Sequence, residues 1–119
     1  MSRIMFIDDD SMMLRMAGFI MKKAGHEALT ASSGEEGLSK LAADKPDMVF
    51  IDIEMPGMNG IEVLEKIKAD GSLAGIPVCL MSGTVTDEIK AKAADLGAVG
   101  VIGKPLNAGE VTGVISAAL

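Results

Sequence analysis

Short apolar runs alternate with longer, helically periodic stretches along the whole chain. Ile4-Met5-Phe6-Ile7, Met48-Val49-Phe50-Ile51 and Val78-Cys79-Leu80-Met81 are uninterrupted and contain no charge. Such runs read as strands buried on both faces, the pattern of a parallel sheet. They predict strands at about residues 3–7, 48–51 and 77–81, and Val99 to Ile102 predicts a further one. Glu27 to Ala31 is more polar and suits an edge strand.

The intervening stretches predict helices. Ser11 opens the first, and Gly25 is placed to cap its C-terminus. Ser33-Gly34-Glu35-Glu36 has capping-box spacing and opens a helix to about Ala43. After the loop from Glu54 to Asn59, Ile61, Leu64 and Ile67 share one face of a helix ending near Asp70-Gly71. A fourth helix starts at about Thr86 and closes at Gly97, and Asn107 with Glu110 caps a last one reaching Ala118. Five strand-then-helix units predict one α/β domain over residues 1–119: a doubly wound parallel sheet, covered on both faces, with right-handed crossovers.

In such sheets function gathers beyond the carboxyl ends of the strands, at the switch in strand order. Four strand ends here carry chemistry: Asp8 and Asp9, Asp52, Ser82, and Lys104. Carboxylates at neighbouring strand ends repel one another, and a divalent cation is the ordinary relief. An aspartate beside a hard cation, a lysine and a hydroxyl forms a parts list for phosphoryl transfer. The carboxylate can attack phosphorus, and the other groups can neutralise the phosphoryl oxygens. Asp10 reads instead as a solvated residue entering the first helix, favoured by its dipole.

Composition narrows the alternatives. The net charge of −6 disfavours nucleic acid, and the absence of Trp and Tyr, with only three Phe, disfavours a base- or flavin-stacking platform. No apolar stretch approaches the roughly 20 residues of a membrane span. The N-terminus leaves no room for a signal peptide, and the lone Cys79 reads as a buried structural thiol in a reducing cytoplasm. His26 reads as an exposed turn residue.

Taken together, Ile7-Asp8-Asp9, Asp52 followed by Met55-Pro56-Gly57-Met58-Asn59-Gly60, Ser82, and Lys104-Pro105 resemble the receiver domain of two-component response regulators, end to end. The resemblance implies a flavodoxin-like sheet of strand order 2-1-3-4-5 with five helices. It also implies phosphorylation of Asp52 by a phosphohistidine partner, a sensor histidine kinase or a histidine phosphotransfer protein. Asp9 would ligate Mg²⁺ (or Mn²⁺) directly and Asp8 mainly through water, with Asp52 and the Glu54 backbone carbonyl completing the protein ligands. Lys104 would bind one phosphoryl oxygen through an ammonium aimed by a cis Lys104-Pro105 bond, and Ser82 another. The chain would catalyse only its own phosphorylation and dephosphorylation. It would carry no output domain and would signal to a protein target through the fourth helix, fifth strand and fifth helix, without touching nucleic acid or membrane.

Three features depart from that pattern or leave it open. Val101 stands where the family usually has a switching aromatic, and Leu106 where a phenylalanine often follows Lys-Pro. Activation is therefore expected to travel through the Ser82–Thr86 loop and the following helix without a ring movement. Glu54 and Thr84 occupy positions that tune phosphate lifetime, and a carboxylate at 54 could either order or repel an attacking water. In the first helix, Met13, Ala17, Ile20, Met21 and Ala24 form one apolar stripe, and Met12, Met16 and Phe19 a second. The second stripe either widens the buried face or leaves Met12 or Met13 protruding to dock a histidine-bearing helical bundle, as receivers use this helix. Two rivals are a phosphorylation-independent interaction module and an aspartyl-phosphate hydrolase. The hydrolase is opposed by Ile53-Glu54 after Asp52, where such enzymes carry Asp-x-Asp.

Overall fold

The apolar runs form the centre of the molecule because each has both faces covered. A computed structural model describes residues 2–119. Its strands are β1 (Arg3–Ile7), β2 (Glu27–Ala31), β3 (Met48–Asp52), β4 (Val78–Ser82) and β5 (Gly100–Gly103), and its helices are α1 (Ser11–Ala24), α2 (Gly34–Asp44), α3 (Gly60–Ala69), α4 (Asp87–Asp95) and α5 (Ala108–Ala118). All strand pairs are parallel, in the order β2-β1-β3-β4-β5. The sheet therefore switches direction between β1 and β3, where two chain crossovers leave on opposite faces.

Alternation along each strand sorts the core into two layers. Ile4, Phe6, Phe50, Cys79 and Met81 face α1 and α5, packing with Met13, Ala17, Met21, Val111 and Ile115. Met5, Ile7, Val49, Ile51 and Leu80 face the other helices, packing with Leu41, Val63, Leu64, Ile67 and Ala93. Phe6 and Phe50 stack across β1 and β3 with ring centroids 4.9 Å apart. The Cys79 thiol lies inside this layer, and burial first, then the Glu110 charge, push it up to about 12. A structural thiol is the result.

Local signals fix the helix ends. Asp10 caps α1, accepting a hydrogen bond from the Met12 N–H, and Gly25 ends it in the left-handed region at φ 81°. Ser33 caps α2, but the Glu36 carboxylate bonds the N–H and hydroxyl of Ser32, so the reciprocal half of the expected box is displaced by one residue. A complete capping box occurs instead at Asn59 and Glu62, opening α3.

Two strands run one residue later than their apolar runs predict. β4 ends on Ser82 and β5 on Gly103, and the ladder extends to a bond from the Lys104 N–H to the Ser82 carbonyl (2.9 Å). Backbone pairing is indifferent to side-chain polarity, so the ladder continues into residues that the apolar pattern leaves out. His26 also differs from expectation. It is half-buried, and its Nδ1 accepts from the Ser2 N–H (3.1 Å), tying the chain start to β2.

Candidate phosphoryl-transfer site

Register brings the reactive residues together. The last β1–β3 pair is Ile7 with Ile51, so Asp8 and Asp52 emerge side by side at the switch point. Asp52 pairs with Met81, placing Ser82 one step higher, and Ser82 pairs with Gly103, placing Lys104 one step above that. The site is thus a staircase across four strand ends.

Its floor is charged and buried. Asp8 and Asp52 are almost wholly enclosed, whereas Asp9 is exposed. The Lys104 ammonium lies 2.8 Å from Asp8 Oδ2 and donates to Asp52 Oδ2 at 3.2 Å. Asp8 Oδ1 accepts from the Asp10 N–H (2.9 Å), and Asp52 Oδ1 from the Glu54 N–H (3.3 Å). Burial, then the Asp8 charge, raise the Asp52 carboxyl to about 6 against the opposing pull of Lys104. Burial disfavours the Lys104 charge, but its contacts with Asp8 and Asp52 outweigh that and hold its pKa above the ordinary value.

One lysine does not satisfy this floor. Asp8 Oδ2 is buried and receives no hydrogen bond of good geometry among the described residues, despite the nearby ammonium. One carboxylate oxygen each from Asp8, Asp9 and Asp52 lies within 4.8 Å of the others. That grouping of hard oxygens, with an orphaned buried acceptor among them, fits a divalent cation. The Lys104–Pro105 peptide is cis.

The rim contains a contact that the sequence reading missed. Ser82 makes no hydrogen bond with Asp52; its hydroxyl lies 2.8 Å from Glu54 Oε2, and the Gly83 N–H donates to Glu54 Oε1 (3.0 Å). The Thr84 N–H in turn donates to Ser82 Oγ (3.1 Å). Glu54 therefore grips the start of the β4–α4 loop with both carboxylate oxygens. An acid two residues beyond Asp52 and a hydroxyl-glycine pair at the next strand end are the only sequence signals of this clamp.

Beside the site, a groove is lined by Asp10, Met12, Met13, Met16, Lys104 and Pro105. The second stripe of α1 does not widen the buried face: Met12 is 67% exposed and Phe19 62%, while Met13 is only 5% exposed. Met12 is therefore the residue that protrudes, and a charge at Met13 would disturb packing instead. Val101 is half-buried and packs with the α2–α4 layer, and Leu106 is buried with the α1–α5 layer.

The fold and this acid–lysine arrangement define a class, and sequence comparison agrees. The profile of the response regulator receiver domain family matches residues 4–116. The chain belongs to that family, the receiver domains of two-component signalling. It is 32% identical to protein PilG of Pseudomonas aeruginosa over 115 residues, covering 97% of this chain and 85% of PilG. It is 29% identical to protein PilH of the same organism, over 100% of this chain and 98% of PilH. The crystallised chemotaxis protein CheY4 of Vibrio cholerae superposes with a TM-score of 0.93 at 25% identity, covering 100% of this chain and 99% of that one. The chain spans only 48–51% of the length of two transcriptional regulators that it also matches. Among the described residues, no helix is long and apolar enough to cross a membrane.

Proposed function

We propose that this response regulator accepts a phosphoryl group on Asp52 from a phosphohistidine, and that the phosphorylated form changes its binding to a protein target in the cytoplasm. The observation that carries the reading is the Asp52 carboxylate itself: buried at the switch point, flanked by Asp8 and held 3.2 Å from Lys104. An Asp52 oxygen attacks phosphorus, and the bond from phosphorus to the histidine nitrogen breaks with its electron pair returning to that nitrogen. The ring, which carries a proton on its other nitrogen, leaves as neutral imidazole. With a carboxyl raised to about 6, Asp52 is chiefly ionised at neutral pH and available as the nucleophile.

Lys104 already spans Asp8 and Asp52, so its ammonium can follow a phosphoryl oxygen formed on Asp52 without crossing the site. Asp9 directly, Asp8 mainly through water, Asp52, and the Glu54 carbonyl would hold Mg²⁺ or Mn²⁺. Such an ion, when bound, neutralises charge on the phosphoryl oxygens. Ser82, turned toward Glu54 in the unphosphorylated protein, would supply its hydroxyl to a further oxygen. The partner would be a sensor histidine kinase or a histidine phosphotransfer protein, docking over Met12. The target would bind through α4, β5 and α5.

Acetyl phosphate with Mg²⁺ tests the reading. Intact-protein mass spectrometry should find one added phosphate, peptide mapping should assign it to Asp52, and Asp52→Ala should abolish it. Wild-type protein that stays unmodified would overturn the reading and favour a phosphorylation-independent interaction module.

A further inference from the structure

We infer that the Glu54 carboxylate is an internal competitor of the phosphoryl group, holding in the resting protein the same donors that phosphorylated Asp52 would recruit. The inference rests on the proposed phosphoacceptor role of Asp52 and extends it to regulation of that site. Two donors at the end of β4, the Ser82 hydroxyl and the Gly83 N–H, both reach Glu54, at 2.8 and 3.0 Å. They approach different oxygens of one carboxylate, as they would approach the oxygens of a tetrahedral anion. Glu54 is itself exposed, so packing does not hold it there.

The serine hydroxyl has one proton and two acceptors in reach, Glu54 Oε2 at 2.8 Å and the Thr84 carbonyl at 2.9 Å. The charged acceptor is the stronger of the two and takes the proton at rest. A phosphoryl group on Asp52 would bring a second anion to the same turn. The Ser82 hydroxyl cannot serve both anions, so its capture by phosphate releases Glu54. Glu54 thereby raises the threshold for activation and keeps the β4–α4 loop in its resting position until Asp52 is modified. Release of Glu54 would give the expected loop-borne signal a route that needs no aromatic at Val101.

The mode of action separates this from simple repulsion between Glu54 and an incoming anion. Repulsion acts whether or not Ser82 has a hydroxyl; competition for a donor requires it. Beryllofluoride, a non-covalent phosphoryl mimic, is titrated at saturating Mg²⁺ into wild type, Glu54→Ala, Ser82→Ala and the double variant. Glu54→Ala should bind about tenfold tighter than wild type, roughly the worth of one charge-assisted hydrogen bond. In the Ser82→Ala background the same substitution should change affinity by less than about threefold, the remainder coming from Gly83.

Glu54→Gln, which keeps an acceptor without charge, should fall between wild type and Glu54→Ala. A second readout needs no ligand: the Gly83 and Thr84 amide resonances of free Glu54→Ala should move toward their beryllofluoride-bound positions. Equal tightening in both backgrounds, no tightening, or unmoved amides would overturn the inference while leaving the phosphoacceptor reading intact. Failure of wild type to bind beryllofluoride would overturn the phosphoacceptor reading and this inference with it.

Discussion

The floor and the rim of the site are built on opposite principles. The floor is three charges: Asp8 and Asp52, withdrawn from water, and the half-buried Lys104 that pairs with them, all carried at the ends of strands. The rim is exposed: Asp9, Glu54, Thr84 and Met12 all face solvent. Buried charges are costly unless they are paired, so the floor trades stability for a carboxyl raised to about 6. Exposed groups can exchange partners at little cost, so the rim can respond to what happens below. On the proposed function, the site separates chemistry from signalling by burial.

Substitutions should divide the same way. The largest effect is expected at Lys104. Lys104→Ala leaves two buried carboxylates facing each other and should lower stability at pH 7 by about 2–3 kcal/mol, with Mg²⁺ restoring part of the loss. Urea melts with and without Mg²⁺ measure both. Asp52→Asn should do the reverse, stabilising the metal-free protein by about 2 kcal/mol at pH 7. Its sign follows from proton linkage. Because the Asp52 carboxyl is raised from 3.8 to about 6, the native state holds the proton more tightly than the unfolded chain. Its stability contribution therefore falls as pH rises from about 4 to 6 and stays lost above, and the asparagine variant should lack that decline.

Rim substitutions should leave stability almost untouched. Glu54→Ala breaks an exposed clamp and should cost less than about 1 kcal/mol in the same melts. Met12→Asp should change stability by less than about 0.5 kcal/mol. It should still slow phosphotransfer from a histidine-bearing partner, roughly tenfold, while acetyl phosphate labelling proceeds unchanged. Equal slowing of both reactions would place Met12 in the floor and break the distinction.

How far the sequence foretold the molecule follows the same division. The sheet was legible because strands buried on both faces leave uninterrupted apolar runs, and the meeting of Asp8, Asp52 and Lys104 follows from parallel strands whose carboxyl ends share one edge of the sheet. The rim was less legible. The apolar pattern of α1 shows which positions could be covered but not which are, so exposure of Met12 and Phe19 had to come from tertiary packing. The Glu54 clamp depends on how two loops close toward each other, and no periodicity encodes that. The later ends of β4 and β5 escaped for a simpler reason: Ser82 and Gly103 pair through backbone groups that carry no side-chain signature.

Gly60, the first residue of α3, lies directly against the end of β3. A Cβ there would collide with the Asp52 carbonyl oxygen and crowd the Ile53 backbone, and the Gly60 N–H bonds to the Ile53 carbonyl (3.1 Å). The loop from Glu54 to Asn59 is therefore pinned at its far end to the strand from which it departs. One methyl group at Gly60 would press on the backbone between Asp52 and Ile53, directly beside the carboxylate proposed to accept the phosphoryl group. This receiver is thus intolerant of added bulk at a position with no functional group, where what matters is an empty space.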